Sequence, residues 1–227
     1  NRVDGVIVTS SRVGELYRPL LVQMNVPIVL VNNERSDPGV WFVSIDDCHG
    51  AALATDHLLE IGRRRIGFIA GWPEASSSAG RLRGCCDSLD KHGLGNAPFW
   101  IGSGNGRMDG GYSCAQEMLS ARPLPDGLFC HNDLTAIGAL RAVREAGLHV
   151  PEDVAVVGFD DIAMAAFSCP PLSTVAQPRH DMGRIAVSML LDLIASRGVE
   201  SRTLKGSLVV RESTIAAGGE VQSHGGG

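Results

Sequence analysis

Short apolar runs closed by polar or turn-forming residues recur along the chain, at 6–8, 28–31, 41–45, 66–70, 99–101, 128–130 and 154–157; the mixed stretch 172–175 leads on through Gln177 and Pro178, and 204–210 is predicted as the last strand. Between them lie longer stretches in which apolar residues return every three or four positions. The runs are continuous rather than alternating, the pattern of strands buried on both faces, and the intervening spacing is helical. A helix is predicted over 15–24. Another begins at a cap, Asp46 or Asp47, buries Ala51, Ala52, Leu58, Leu59 and Ile61, and ends at Gly62. Further helices are predicted over 84–92, from Tyr112 to Pro123, along Ala136, Leu140 and Val143 as far as Gly147, and along Met182, Ala186, Met189 and Leu193. Strands and helices that alternate in this way predict an α/β fold of parallel sheets covered by helices on both faces.

In such sheets ligands sit beyond the carboxyl ends of the strands, and the most informative stretch is 150–161, VPEDVAVVGFDD. Its strand runs out into Asp160 and Asp161. Other runs end in the same way, in Thr9 and Ser10, in Asn32 and Asn33, and in His131, Asn132 and Asp133. One shared cleft is therefore expected. An Ala/Ser-rich loop after Pro73 is expected to deliver Arg81 and Arg83 to it, and the glycine-rich stretch 102–111 is expected to be a flexible turn, since it matches no phosphate-binding motif.

Composition narrows the function. With 227 residues, 44% of them hydrophobic, the chain can bury one large core or two modest ones. A formal net charge of -5 argues against nucleic-acid binding by this segment, and Arg63, Arg64 and Arg65 suit a helix carboxyl end better than a phosphate backbone. No apolar run reaches membrane-spanning length and no signal-peptide pattern opens the chain, so a soluble, cytoplasmic protein without membrane contact is expected. The six cysteines, scattered and without a C-x-x-C pair, read as reduced thiols. Catalysis is not expected. Asp160 with Asp161, Cys130 with His131 and Asp56 with His57 are adjacent pairs whose side chains diverge, and no nucleophile elbow, metal-ligand spacing or cofactor loop accompanies them. Neither a cofactor nor a metal is predicted. For Asn132 and Asp133 the alternative role is capping the following helix; for Asp161 a cap or turn; for Arg81 a surface charge; for Asp160 an internal salt bridge.

Taken in order, DGVIV (4–8), VPIVLVNN (26–33), HLLEIGRRRIGFIAG (57–71), RLRG (81–84), NDLTAIGALRAVREAGLHVPEDVAVVGFDD (132–161), PPLSTVAQP (170–178) and LVVREST (208–214) resemble the effector-binding portion of LacI/GalR-type transcriptional repressors. The resemblance implies a type I periplasmic-binding-protein fold: two doubly wound parallel-sheet subdomains joined by three crossovers, with the ligand between them. It places the first subdomain, incomplete here, at 1–44 plus 178–204, the second at 45–177 plus 205–216, the hinge near Ser44, Gln177 and Lys205, and a disordered tail at 217–227. Thr9, Ser10 and Asn32 are implied to line the cleft from the first side, Arg81, Asn132 and Asp160 from the second, with Gln177 at the hinge. These donors and acceptors suit a small polar ligand, a sugar or sugar derivative.

The implied function is that of an effector-binding and dimerisation domain. A homodimer is expected, with contacts from the helix near Leu134 and from the apolar segment 163–168, and operator DNA would be engaged only through a helix-turn-helix outside this chain. An exported sugar-binding protein of a transport system is the other reading. Two departures from the family pattern stand out. Val6 already matches the third strand of the first sheet, so more chain is expected upstream, and Gly106 stands about where sugar-binding relatives carry a stacking aromatic.

Overall fold

Two sheets organise the chain in a computed structural model that describes residues 3–9, 26–33, 39–73, 75–95, 97 and 99–215. The first contains β1 (Val6–Val8), β2 (Ile28–Val31), β3 (Trp41–Ile45) and β9 (Arg202–Leu204), all parallel, in the order β1-β2-β3-β9. The second contains β4 (Ile66–Ala70), β5 (Trp100–Ser103), β6 (Gly127–Cys130), β7 (Ala155–Asp160), β8 (Ser173–Ala176) and β10 (Ser207–Val209). Its order is β10-β8-β7-β6-β4-β5, parallel except for the antiparallel edge strand β10. The chain passes between sheets three times, after β3, after β8, and between β9 and β10.

Both faces of the second sheet are covered, which is why its strands are apolar at consecutive positions. One face packs against α1 (Asp47–Glu60) and α2 (Ser76–Lys91). Phe68, Phe129 and Phe159 fill that side without solvent exposure. Phe68 and Phe129 are register partners on adjacent strands, with ring centroids 5.2 Å apart. The other face packs against α3 (Met108–Ser120) and α4 (Asp133–Glu145) through Ile69, Leu128, Val154, Val156 and Leu172. The short α5 (Ala163–Phe167) follows β7, and α6 (Arg179–Ile194) covers the first sheet with Met182, Ala186 and Met189.

Glycines set the helix spacing. A Cβ at Gly84 would fall well inside contact distance of the Cys48 carbonyl oxygen, so α2 can approach α1 only with glycine there. Gly111 and Gly138 stand in the same relation to Thr135 and Met108, backbone against backbone, between α3 and α4.

Three sequence expectations need correction. The Ala/Ser-rich stretch is not a loop: α2 starts at Ser76, so Arg81 and Arg83 are helical residues. Contact with α1 outweighs the poor intrinsic helix propensity of serine and glycine. The turn expected at 102–111 shrinks to 104–107, because β5 extends through Ser103 and α3 begins at Met108. The single strand at 204–210 is two strands in different sheets, separated at Lys205 and Gly206. The helix expected at 15–24 and the tail at 217–227 lie outside the described residues.

Candidate functional site

The carboxyl ends of β1, β2, β3, β6, β7 and β8 face one cavity of about 700 Å3 between the two sheets. Thr9 and Asn32 line it from the first sheet. Ser44, Asp46 and Asp47 come from the end of β3 and the start of α1, Arg81 and Arg83 from α2, and His131, Asp160 and Gln177 from the ends of β6, β7 and β8. Ser10 lies outside the described residues.

A chain of hydrogen bonds crosses this cavity. Asn32 Nδ2 donates to Gln177 Oε1 at 2.8 Å, and Gln177 Nε2 donates to Asp160 Oδ1 at 2.6 Å. Gln177 thereby ties the end of the first sheet to the end of the second. Asn32 sits at φ 55, a conformation in which asparagine is one of the few side chains tolerated.

Arg81 is a buried cation rather than a surface charge, only 4% exposed. Its Nε donates to Asp47 Oδ1 at 2.8 Å, its Nη1 donates to the His131 carbonyl, its Nη2 lies 3.9 Å from Asp160 Oδ1, and its guanidinium lies 3.6 Å from the centroid of the Phe159 ring. A buried guanidinium needs such partners, because leaving its donors unmade costs far more than the net gain of any single bond.

Burial pushes the Asp160 carboxyl above its ordinary range, while Arg81, the Gln177 amide and Arg179 pull it back down. Its side chain keeps 29% exposure, and that surface faces the cavity. His131 is driven the other way. Desolvation, reinforced by Arg81, lowers it to about 3, so the ring is neutral at pH 7, and its Nδ1 has no hydrogen-bond partner among the described residues.

Asn132 is not among the cavity-lining residues. Its Oδ1 accepts from Thr135 N at 2.8 Å as the N-cap of α4, and its Nδ2 donates to the Gly106 carbonyl at 3.0 Å. The capping alternative describes its bonds better than a ligand contact does. Asp133, fully buried, accepts from the Thr174 hydroxyl at 2.5 Å and from Ile162 N at 2.8 Å. Asp161 sits in the turn after β7, in keeping with the turn alternative, and its Oδ1 also pairs with Arg211 Nη2 at 2.7 Å. Both Asp160 (φ 111) and Asp161 (φ 52) adopt left-handed backbone, which costs on the order of 1 to 3 kcal/mol each for such residues and persists only where surrounding contacts impose it.

Asp47 and His131 also line the cavity, although the family resemblance does not assign them to it. His131 directly follows β6, one of the strand ends from which the cleft is expected, and Asp47, a candidate helix cap in the sequence, is the first residue of α1, two positions past β3.

A family model described as a periplasmic binding protein-like domain matches residues 55–214. The HTH-type transcriptional repressor CytR of Escherichia coli strain K12 is 35% identical over 218 residues, covering 95% of this chain and 64% of that protein. Among solved structures, a complex of the transcriptional regulator CelR with cellobiose superposes with a TM-score of 0.85 at 35% identity, covering 93% of this chain and 66% of that one. A LacI family transcriptional regulator from Enterococcus faecalis with bound ribose gives 0.83 at 27% identity, covering 94% and 78%. This chain therefore spans 64% of the length of the curated repressor it matches.

Proposed function

Because the chain belongs to the periplasmic-binding-protein-like family of LacI-type transcriptional regulators, we propose that it is the effector-binding and dimerisation part of such a regulator, and that its cleft takes a small, hydroxyl-rich molecule of the sugar class. The observation that carries this reading is the Asn32–Gln177–Asp160 chain across the cavity, with Arg81 beside it. Sugar hydroxyls both donate and accept, as Asn32 and Gln177 do, and Asp160 offers them a charged acceptor. Two similar regulators are described with cellobiose and with ribose, which supports that ligand class.

In this reading residues 1–44 plus 178–204 form one subdomain and 45–177 plus 205–216 the other, with Ser44, Gln177 and Lys205 at the crossovers. Thr9, Ser10, Asn32, Arg81, Asp160 and Gln177 hold the ligand, and Asn132 shapes the cleft mainly through the α4 cap. Asp47 and His131 join the set. Binding draws the two sheets together, and the difference in affinity between open and closed arrangements is the free energy available to switch a DNA-binding module outside this chain. The protein acts in the cytoplasm as a homodimer. Phe167, 88% exposed, and Met164, 49% exposed, supply part of the contact from α5. The transport-protein reading is not favoured, since the curated relative is a repressor.

A thermal-shift panel of ribose, cellobiose, other mono- and disaccharides and nucleosides tests this directly. A concentration-dependent rise in Tm with at least one member is expected; no shift across the panel at millimolar concentration would overturn the sugar-class reading.

A further inference from the structure

The left-handed backbone at Asp160 and Asp161, which turns Asp160 into the cavity, is held by residues that do not line that cavity. Asp133, the first residue of α4, lies under the turn with no solvent exposure and does not line the cavity. One of its oxygens takes the Thr174 hydroxyl from β8, and the other takes the Ile162 amide, immediately past the turn. Thr174 Oγ1 in turn accepts from Asp161 N at 3.4 Å. Gly158, two residues before Asp160, has no room for a side chain, since a Cβ there would collide with Asp133 Oδ1. The carboxylate and the strand thus fit each other closely. Arg211 Nη2 and Arg179 Nη2 pin Asp161 from the opposite side, through its carboxylate and its carbonyl, each at 2.7 Å.

We propose that Asp133 is a positioning residue for effector binding: its buried carboxylate locks the Asp160–Ile162 turn and so fixes the direction in which Asp160 enters the cleft. The proposal rests on the cleft reading above and adds a residue that touches no ligand. It requires an ionised carboxylate, because only that form accepts two hydrogen bonds with both oxygens free of a proton.

The surroundings make this requirement sensitive to acidity. Desolvation raises Asp133 to about 6, with Asp160 at the end of β7 and Asp161 just past it adding to the rise and the Thr174 and Ile162 bonds opposing it. The charged groups gathered round the turn are Asp160, Asp161, Arg211 after β10, Arg179 on α6, and Arg81 on the cavity side. Protonation at Oδ2 sets a donor against the Ile162 amide, and protonation at Oδ1 reverses the Thr174 bond and exchanges a charge-assisted contact for a neutral one, so in either case the hold on the turn weakens. Effector affinity is therefore expected to be full above about pH 7 and to fall as pH drops through about 6.

The test uses wild-type protein, Asp133→Asn and Thr174→Val, with the panel member that gives the largest thermal shift on wild type as titrant. Calorimetric Kd values are measured from about pH 5 to about pH 8, at temperatures where circular dichroism shows each variant folded. Wild type should lose roughly tenfold in affinity between about pH 7.5 and about pH 5; Asp133→Asn should bind roughly tenfold more weakly at about pH 7.5 and lack the transition centred near 6. Thr174→Val keeps the shape and removes one of the two donors, so it should show a smaller loss in the same direction. It also serves if Asp133→Asn does not fold. A lowered Tm with wild-type affinity and wild-type pH profile in the variants would assign Asp133 to structure alone and overturn the proposal. If no panel member binds wild type, the cleft reading fails and this inference with it; if wild type binds and the variants bind equally well, only this inference fails.

Discussion

Replacing Arg81 with methionine isolates the buried charge at the centre of the site. The substitution keeps an unbranched side chain that can lie on Phe159 but removes the guanidinium that now serves Asp47, the His131 carbonyl and, at 3.9 Å, Asp160. Breaking a buried ion pair by deleting one partner costs about 3 to 5 kcal/mol, because the other charge is left without compensation. Here Asp47 and Asp160 keep 21% and 29% exposure, so water can partly replace the lost donors. The expected cost is therefore below that range, about 2 to 3 kcal/mol, or roughly 1 M in the urea midpoint at an ordinary m-value. Arg81→Lys keeps the charge without the planar fork and should lose about 1 to 2 kcal/mol. The pH dependence identifies the cause. Arg81 holds Asp160 down against burial, so in Arg81→Met the Asp160 carboxyl rises further. Protonation then relieves the unpaired charge, and the deficit relative to wild type should shrink between neutral pH and about pH 5. A loss below about 0.5 kcal/mol, or a deficit that grows on acidification, would refute the assignment of Arg81 as a paired, buried cation.

Two further outcomes follow from the same contacts. Gly84→Ala pushes a methyl group into the Cys48 carbonyl and must separate α1 from α2, so urea unfolding should show a loss of about 2 to 3 kcal/mol, whereas Gly93→Ala, which meets no neighbour, should lose only what its left-handed backbone costs, about 1 kcal/mol. His131, lowered to about 3, makes folding less favourable as pH falls below the ordinary histidine value, while Asp133, raised to about 6, has the opposite effect between about pH 6 and 4, so the two oppose each other; Asp133→Asn leaves His131 unopposed, and urea unfolding should show its stability falling more steeply than that of wild type across that window.

Much of this architecture is visible in the sequence because the signals are local. Gly62 and Gly147 end their helices at φ 90 and φ 75, and Asp46 caps α1 by accepting from His49 N. The apolar runs mark β4, β6 and β7 for the same reason, since burial on both faces favours apolar residues at consecutive positions, whereas β8 carries the buried, hydrogen-bonded Ser173 and Thr174. Where the reading failed, the deciding contact was distant or tertiary. Arg211 and Asp161 are fifty residues apart, and nothing in either neighbourhood announces the pair. The helical start of α2 is imposed by Gly80 and Gly84 fitting against α1, against the local preference of Ser76, Ser77 and Ser78. The division of 204–210 between two sheets depends on Gly206, where an added Cβ would crowd the Ala176 carbonyl and Val175 of the neighbouring strand. Asn32, Arg81, Asp160 and Gln177 were legible as a set through the family resemblance together with their positions beyond strand ends. That Gln177 joins Asn32 to Asp160 was not, because it is a relation between side chains 145 and 17 residues apart.

The central claim is that Asp160 presents a charged acceptor to a ligand held between the two sheets, while its neighbour Asp161 serves the fold through Arg211. Titration calorimetry of Asp160→Ala and Asp161→Ala with the sugar or nucleoside that stabilises wild type tests it most directly. Losing Asp160 should cost on the order of 2 to 3 kcal/mol of binding, roughly 30- to 150-fold in Kd, and losing Asp161 should cost several-fold less in affinity while lowering Tm. Equal losses at the two aspartates, or undiminished binding in Asp160→Ala, would contradict the account.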